Sequence, residues 1–127
     1  MDRPDVLIVE GLNVLPGRPG SRRAPWRFAS DFLDFTMYVD ADECLLRQWY
    51  VERFLALRAT ALDDPSGYFH RYASLSRDEA VRAAAASWEA TDGPNLRRNI
   101  LPTRERAHLI LEKGADHVTR SVRLRKL

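Results

Sequence analysis

Glu10 is the first residue whose type and position suggest chemistry. It follows a short apolar run, residues 6–9, and precedes Gly11. Apolar, β-branched runs that end at an acidic residue and a turn former are typical of buried parallel strands. In nucleotide-binding α/β proteins, a carboxylate at the C-terminal end of such a strand often faces a phosphate and its magnesium ion. The pattern therefore raises the question of which loop would hold the phosphate.

The 127-residue sequence contains no P-loop. That motif, G-x-x-x-x-G-K-[ST], needs backbone N–H groups that cradle the phosphates and a lysine that reaches them. The two lysines, Lys113 and Lys126, do not follow a glycine. The glycine-rich stretch GRPGSRR, residues 17–23, has no lysine, and its proline removes one backbone donor. The phosphate loop is therefore not expected within this chain.

A second group of candidate residues lies on a predicted helix. Asp40 and Glu43 have the spacing of a capping box, which predicts a helix over about residues 42–60. One face of that helix carries four residues at i, i+3, i+4 and i+7: Tyr50, Arg53, Phe54 and Leu57. Periodicity alone predicts that the two aromatic residues of this face belong to the core. It is equally consistent with a solvated Arg53 that pairs with Glu52 or Asp64.

The remaining patterns predict strands that alternate with helices, which argues for one α/β domain over residues 1–127. Strands are expected within residues 34–41, at 108–111 and in the closing stretch 116–127. YFHRYASL, residues 68–75, is expected to form a short helical piece. Ser76 and Glu79 form another capping box, which opens a helix that TDGPN, residues 91–95, should end. So few strands would leave open sheet edges.

Composition excludes several classes of protein. With 45% hydrophobic and 30% charged residues, the chain has the profile of a soluble globular domain. No apolar run approaches the ~20 residues that cross a bilayer, and a single cysteine, Cys44, fits a reducing cytoplasm. The net charge is +2, and no basic run is interleaved with aromatics. A membrane span and nucleic-acid binding are therefore not expected. A cytoplasmic location is expected.

Four strings in one order carry a specific resemblance: VLIVEGLNVL, SDFLDFTMYVDADE, WYVERFLALRATALDDPSGYFHRYASLS and PNLRRNILPTRERAHLILEKGADHVTRSVRLRKL. Together they resemble the C-terminal half of bacterial type I pantothenate kinase, apart from the loop at residues 16–26. The resemblance implies part of a P-loop-kinase-like parallel sheet with flanking helices, whose N-terminal P-loop half is missing. The family transfers the γ-phosphate of ATP to pantothenate with Mg²⁺, the first step towards coenzyme A.

The resemblance also implies roles for individual residues. Glu10 matches the glutamate near the magnesium ion, and Arg53 matches an arginine that faces the phosphates, so these two are the implied catalytic residues. Tyr50, Phe54 and Phe69 match aromatics around pantothenate and the thiol arm of coenzyme A. Tyr72 is a further candidate for the same pocket.

Two positions depart from the family pattern. Leu62 stands where family members carry another phenylalanine, and Asp92 stands where they carry an asparagine that hydrogen-bonds the ligand. An amide both donates and accepts, whereas a carboxylate only accepts and also repels an anion. These changes predict poorer binding of an anionic ligand.

The expected function is therefore that of a pantothenate kinase-like protein that is inactive by itself. Its expected partners are pantothenate or coenzyme A, an N-terminal kinase fragment, and further copies of the chain. One alternative is a non-catalytic module that binds pantothenate or coenzyme A or assembles with a kinase. Another is a fragment of a different P-loop kinase, such as uridine kinase.

Overall fold

A small sheet and a long run of helical turns form the fold. The computed structural model describes residues 4–12, 14–15, 29–61 and 65–126. Three strands lie in the order β1-β2-β3: β1 (Met37–Asp40), β2 (Leu109–Lys113) and β3 (Thr119–Leu124). The α-helices are α1 (Glu43–Ala59), α2 (Arg77–Ser87) and α3 (Gly93–Asn95). Shorter 3₁₀ and π turns span Ala29–Phe32, Tyr68–Tyr72, Trp88–Asp92, Leu96–Ile100 and Leu101–Arg106. The α/β class predicted from the sequence is confirmed.

The sheet is mixed rather than wholly parallel. β1 pairs with β2 in parallel, and β2 pairs with β3 antiparallel as a hairpin. The start of the parallel pair is tied by Thr36 and His108. The His108 N–H donates to the Thr36 carbonyl at 3.0 Å, and the Thr36 N–H donates to Nδ1 of His108 at 3.0 Å. β1 and β3 lie within segments where the sequence predicted strands, and β2 overlaps the strand predicted at residues 108–111 but continues to Lys113.

The two faces of this sheet differ in their cover. On one face Tyr38 and Ile110 are buried with Ala107, and Leu15 and Ile100 pack against them. Side chains alternate along a strand, so the other face collects the intervening residues. We call this second set the bare face: Met37, Val39, Leu109, Leu111, Val122 and Leu124. Four of its side chains are 54–69% exposed, so no layer of the described chain covers it.

The strand predicted at residues 6–9 is wrong. Its four apolar side chains are 48–80% exposed, and the segment is in no strand. A buried parallel strand needs a neighbouring strand and apolar layers on its faces. The described part of the chain pairs no strand with this segment, so its hydrophobic pattern has nothing to bury against.

The first predicted capping box is also wrong. α1 begins at Glu43 after Asp42, whose side chain makes no capping hydrogen bond. Asp40 instead accepts a hydrogen bond from Nε of Arg104 at 2.6 Å. These side chains are only 13% and 21% exposed, so the ion pair joins β1 to the turn Leu101–Arg106 away from bulk water. Local spacing could not reveal a partner that lies 64 residues away.

The helical run does not end at residues 91–95 as the sequence predicted. α2 continues through the π turn Trp88–Asp92 into α3. Pro94 lies inside this continuous run, directly after a π turn in which the Gly93 N–H donates to the Trp88 carbonyl five residues back. Gly93 is buried, and a Cβ there would lie 3.0 Å from Nε1 of Trp88. The glycine is therefore explained by close packing rather than by a helix stop.

The second capping box is confirmed. The Glu79 N–H donates to Oγ of Ser76 at 3.3 Å, and the Ser76 N–H donates to Oε2 of Glu79 at 2.8 Å. The Ser76 hydroxyl also donates to that carboxylate at 2.7 Å. These hydrogen bonds hold the pKa of Glu79 below its ordinary value.

None of the described helices is long and apolar enough to span a bilayer.

We expect Ser76→Ala to lower the free energy of unfolding by about 1 kcal/mol, because the first turn of α2 loses its cap. Since the folded-state pKa of Glu79 is lowered, its contribution is present above the unfolded pKa and is lost as pH falls through the folded pKa. The effect of the substitution should therefore shrink in acid. Urea denaturation at neutral and acidic pH measures both effects. Ser74→Ala is the matched control, and equal losses for the two variants would contradict the cap.

Candidate functional site

Four aromatic rings converge between α1 and the 3₁₀ helix Tyr68–Tyr72. We call them the aromatic cluster: Phe54, Tyr68, Phe69 and Tyr72. The ring of Phe54 meets that of Phe69 edge-on at 5.3 Å between centroids and that of Tyr72 at 4.9 Å. Tyr68 adds a 5.2 Å contact with Phe69. These are favourable separations for aromatic pairs, so the two segments meet through their rings.

The 3₁₀ geometry decides which side chains face α1. With three residues per turn, side chains at i and i+3 lie above one another. Phe69 and Tyr72 therefore share the side that contacts Phe54, and Tyr68 and Arg71 share a neighbouring side. The Arg71 guanidinium lies over the Tyr68 ring at 4.0 Å and over the Tyr72 ring at 4.7 Å. The outer rim of the cluster thus combines phenol rings with a positive charge.

Tyr50 extends the aromatic surface towards α2. It is half-buried and packs against the core formed by Phe54, Ala80 and Ala84. Its hydroxyl lies 3.0 Å from Oγ of Ser87, within hydrogen-bond distance. Its ring also meets Trp88 at 5.5 Å. Tyr50 is therefore held in place from two sides.

Burial changes across the cluster. Phe54 is 5% exposed and forms its base, whereas Tyr68 is 64% exposed and forms its rim. Burial, and secondarily a hydrogen bond with Tyr68, raise the pKa of the Tyr72 hydroxyl, so this group stays protonated at neutral pH. Chemically, the cluster is an apolar wall with phenol donors at its edge. Such a surface suits a ligand with an apolar body and polar ends.

Arg53 lies next to Phe54 in the chain but is exposed. The pairing with Glu52 that periodicity allowed does not form, because Glu52 accepts from Nε2 of Gln48 at 2.9 Å. The other possible partner, Asp64, lies outside the described residues. Within the described ranges, no ion pair or hydrogen bond engages the Arg53 side chain. Among those residues, its charge therefore has no opposite partner.

The other predicted site residues are not gathered at the cluster. Asp92 is half-buried in the π turn Trp88–Asp92, and no ring or polar contact joins it to the cluster. Leu62 lies outside the described residues. Glu10 is exposed in the segment that forms no strand. The structure thus brings together Tyr50, Phe54, Phe69 and Tyr72 and leaves Glu10 apart.

A magnesium site is not formed by the residues that the structure describes. Among them, no three His, Cys, Asp or Glu side chains are placed to hold a metal ion. Glu10 alone offers one carboxylate, whereas protein-bound Mg²⁺ takes near-octahedral oxygen coordination. The described residues therefore do not fit the ion.

Two residues of the cluster rim, Tyr68 and Arg71, were not singled out by the sequence patterns. Their signal is the i, i+3 spacing, which aligns them only if the segment is a 3₁₀ helix. A five-residue stretch does not distinguish that geometry from an α-helical turn.

The three histidines have structural contacts: His70 with the Ala61 carbonyl, His108 with Thr36 and His117 with the ring of Trp49.

Similarity to known proteins covers the whole chain. It is 60% identical over 126 residues to a protein of Mannheimia succiniciproducens that is named pantothenate kinase. It is 57% and 61% identical over 128 residues to proteins of the same name from Parvibaculum lavamentivorans and Rhodopseudomonas palustris. The resemblance seen in the sequence strings is therefore confirmed. No family model matches the chain.

The similarity covers only part of the length of each relative. It takes in 99–100% of this chain but only 39–40% of the length of those pantothenate kinases. This coverage is consistent with a C-terminal fragment of the bacterial enzyme.

Proposed function

Since the whole chain is homologous to about two fifths of bacterial pantothenate kinases, we propose that it is the pantothenate-side portion of such a kinase. The observation that carries this proposal is the 57–61% identity, which extends over 99–100% of the chain. In this proposal the aromatic cluster and Tyr50 form a wall of the pantothenate or coenzyme A site. A cytoplasmic location fits the lone Cys44.

The chemistry of the cluster agrees with that ligand class. Pantothenate has an apolar gem-dimethyl end and amides, which an aromatic wall with phenol donors can hold. The uncommitted Arg53 guanidinium can bind phosphate oxygens in a fork. ATP with magnesium supplies the transferable phosphoryl group when bound in the family. In this chain, Arg53 would attract and orient a phosphate, and the rings would exclude water from the apolar end.

We expect no phosphorylation of pantothenate by the purified 127-residue chain. It lacks the P-loop lysine and amides that stabilise the charge on a transferring γ-phosphate. A coupled assay of ADP release, with ATP, Mg²⁺ and pantothenate, measures this. The full-length Mannheimia relative is the positive control. Turnover by the chain well above the buffer rate would contradict the expectation.

We expect the chain to bind coenzyme A weakly at the aromatic cluster. Affinity should fall in Phe69→Ala, because a half-buried ring of the wall is lost. Asp92→Asn should change the affinity little, because no ring or polar contact among the described residues joins Asp92 to the cluster. Titration calorimetry measures the affinity of both variants, with Leu57→Ala on α1, outside the ring contacts, as a control. Absence of binding at millimolar coenzyme A would remove the ligand proposal.

The second possible function is a non-catalytic module, in which the same wall binds pantothenate or coenzyme A without chemistry. The absence of a P-loop motif from the chain favours this alternative. The uridine kinase alternative has less support, because the relatives described above carry the name pantothenate kinase. Phosphorylation after an N-terminal kinase fragment is added would separate a split enzyme from the module.

The chain is also proposed to associate, with itself or with an N-terminal kinase fragment. The bare face exposes Met37 and Val39 on β1 and Val122 and Leu124 on β3, on either side of β2. The outer edges of β1 and β3 also lack a paired strand in the described chain. Contiguous apolar surface together with unpaired edges is typical of an interaction site.

We expect the mass of the chain to rise with concentration, because the bare face becomes buried between copies. Val122→Glu should reduce this association by placing a charge on the face. Val118→Glu is the matched control, since Val118 is 55% exposed but lies outside that face, before β3. Size-exclusion chromatography with light scattering measures the mass. A wild-type monomer at every concentration would contradict self-association.

A further inference from the structure

We propose that Arg58 is a positioning residue that fixes the 3₁₀ helix Tyr68–Tyr72 against α1. Through that helix it sets the places of the Phe69 and Tyr72 rings. The consequence for ligand binding rests on the proposed function, whereas the anchoring itself does not. Arg58 would touch no ligand in this role.

The guanidinium of Arg58 reaches the C-terminal end of the 3₁₀ helix. Its Nε donates to the Tyr72 carbonyl at 3.2 Å, and a terminal nitrogen donates to the Leu75 carbonyl. The Tyr72 carbonyl also accepts from the Leu75 N–H at 3.1 Å, so Arg58 adds a charged donor to this turn, and a cation at the C-terminal end of a helical turn suits the local dipole. Arg58 is half-buried, so water competes less for these carbonyls. One planar side chain thus holds two points of the segment in a fork.

A second anchor lies one turn further along. The His70 ring donates from Nδ1 to the Ala61 carbonyl at 3.0 Å. Together, Phe54, Arg58 and Ala61 follow at i, i+4 and i+7 along α1 and the turn after it. Phe54 contacts the 3₁₀ segment by ring packing, and Arg58 contacts it by charged hydrogen bonds. The Ala61 carbonyl accepts a hydrogen bond from it. This side of α1 is therefore the surface against which the segment packs.

The helix pair itself does not depend on Arg58. α1 and α2 pack through Phe54 against Ala80 and Ala84, both fully buried. α2 also begins at its own cap, Ser76. What Arg58 holds is residues 65–75, the connection that carries three of the four cluster rings. Its loss should loosen that connection while the two helices stay packed.

The test compares Arg58→Met with Arg98→Met, an exposed arginine on the π turn Leu96–Ile100. Amide hydrogen exchange is followed by NMR at His70, Ala73 and Leu75, whose N–H groups bond within the anchored segment. We expect exchange about tenfold faster at these amides in Arg58→Met, because charge-assisted hydrogen bonds are lost. The Ala80 amide of α2 should keep its wild-type rate, and Arg98→Met should match wild type throughout.

Arg58→Lys provides a second variant. An ammonium keeps the charge but lacks the planar fork, so exchange should lie between wild type and Arg58→Met. Unchanged exchange in both Arg58 variants would overturn the proposal. Equal acceleration of the segment and of α2 would overturn it too, since Arg58 would then support the whole fold.

Coenzyme A titration supplies the functional readout, at a temperature where far-ultraviolet circular dichroism shows each variant folded. We expect about tenfold weaker binding in Arg58→Met and partial recovery in Arg58→Lys. Wild-type affinity in Arg58→Met, despite fast exchange, would overturn the positioning role. A wild-type chain that does not bind coenzyme A would contradict the proposed function, and the exchange measurements would still decide whether Arg58 anchors the segment.

Discussion

The packing of Phe54 is the interaction on which most of the molecule depends. Phe54 is 5% exposed and packs against Ala80 and Ala84, which are fully buried. Alanines at i and i+4 leave α2 without bulk on that side, so the two helices approach closely enough to enclose one large ring. The opposite edge of the same ring receives Phe69 and Tyr72. A single side chain therefore joins the helix pair to the aromatic surface that is proposed to bind ligand.

The sheet and the helices are tied by a different kind of contact. Asp40 ends β1, and its partner Arg104 lies in the last helical turn before β2. A carboxylate at the end of a parallel strand is often available for a ligand, as the sequence suggested for Glu10. Here the carboxylate of Asp40 is committed to an arginine, and this raises the pKa of the Arg104 guanidinium. The C-terminal end of β1 is thus used for architecture, and the proposed binding chemistry lies on the helices.

Local signals in the sequence were sufficient for several elements. The Ser76 and Glu79 box is confirmed because both partners belong to one helical turn. α1 and the three strands were predicted because their apolar patterns find real neighbours. The same reasoning fails at residues 6–9, where the pattern is as apolar but nothing in the described chain pairs with it. It fails at Asp40 because Arg104 is remote in sequence, and at Gly93 because Trp88 explains the glycine by packing.

The candidate site shows the same division. Helical spacing correctly placed Tyr50 and Phe54 on adjoining parts of α1, and the structure brings Phe69 and Tyr72 to them. Spacing could not show that the connecting segment is a 3₁₀ helix, so Tyr68 and Arg71 were missed. It also could not show that Glu52 is bound by Gln48, so that Arg53 has no ion-pair partner among the described residues. Contacts between segments, rather than residue types, decide these points.

The parallel pairing of β1 with β2 has a consequence for the order of events during synthesis. Thr36 and His108 are 72 residues apart, whereas Glu112 and Ser121 of the hairpin are 9 apart. Closing the longer loop costs about 2 kcal/mol more in chain entropy, at about 0.6 kcal/mol for each of three doublings. At the usual rate of translation, the partner of β1 is made roughly 4–14 s after β1 itself. Throughout that interval β1 lacks its only sheet neighbour among the described strands. The edges of β1 are therefore open to pairing with other strands until β2 has been made.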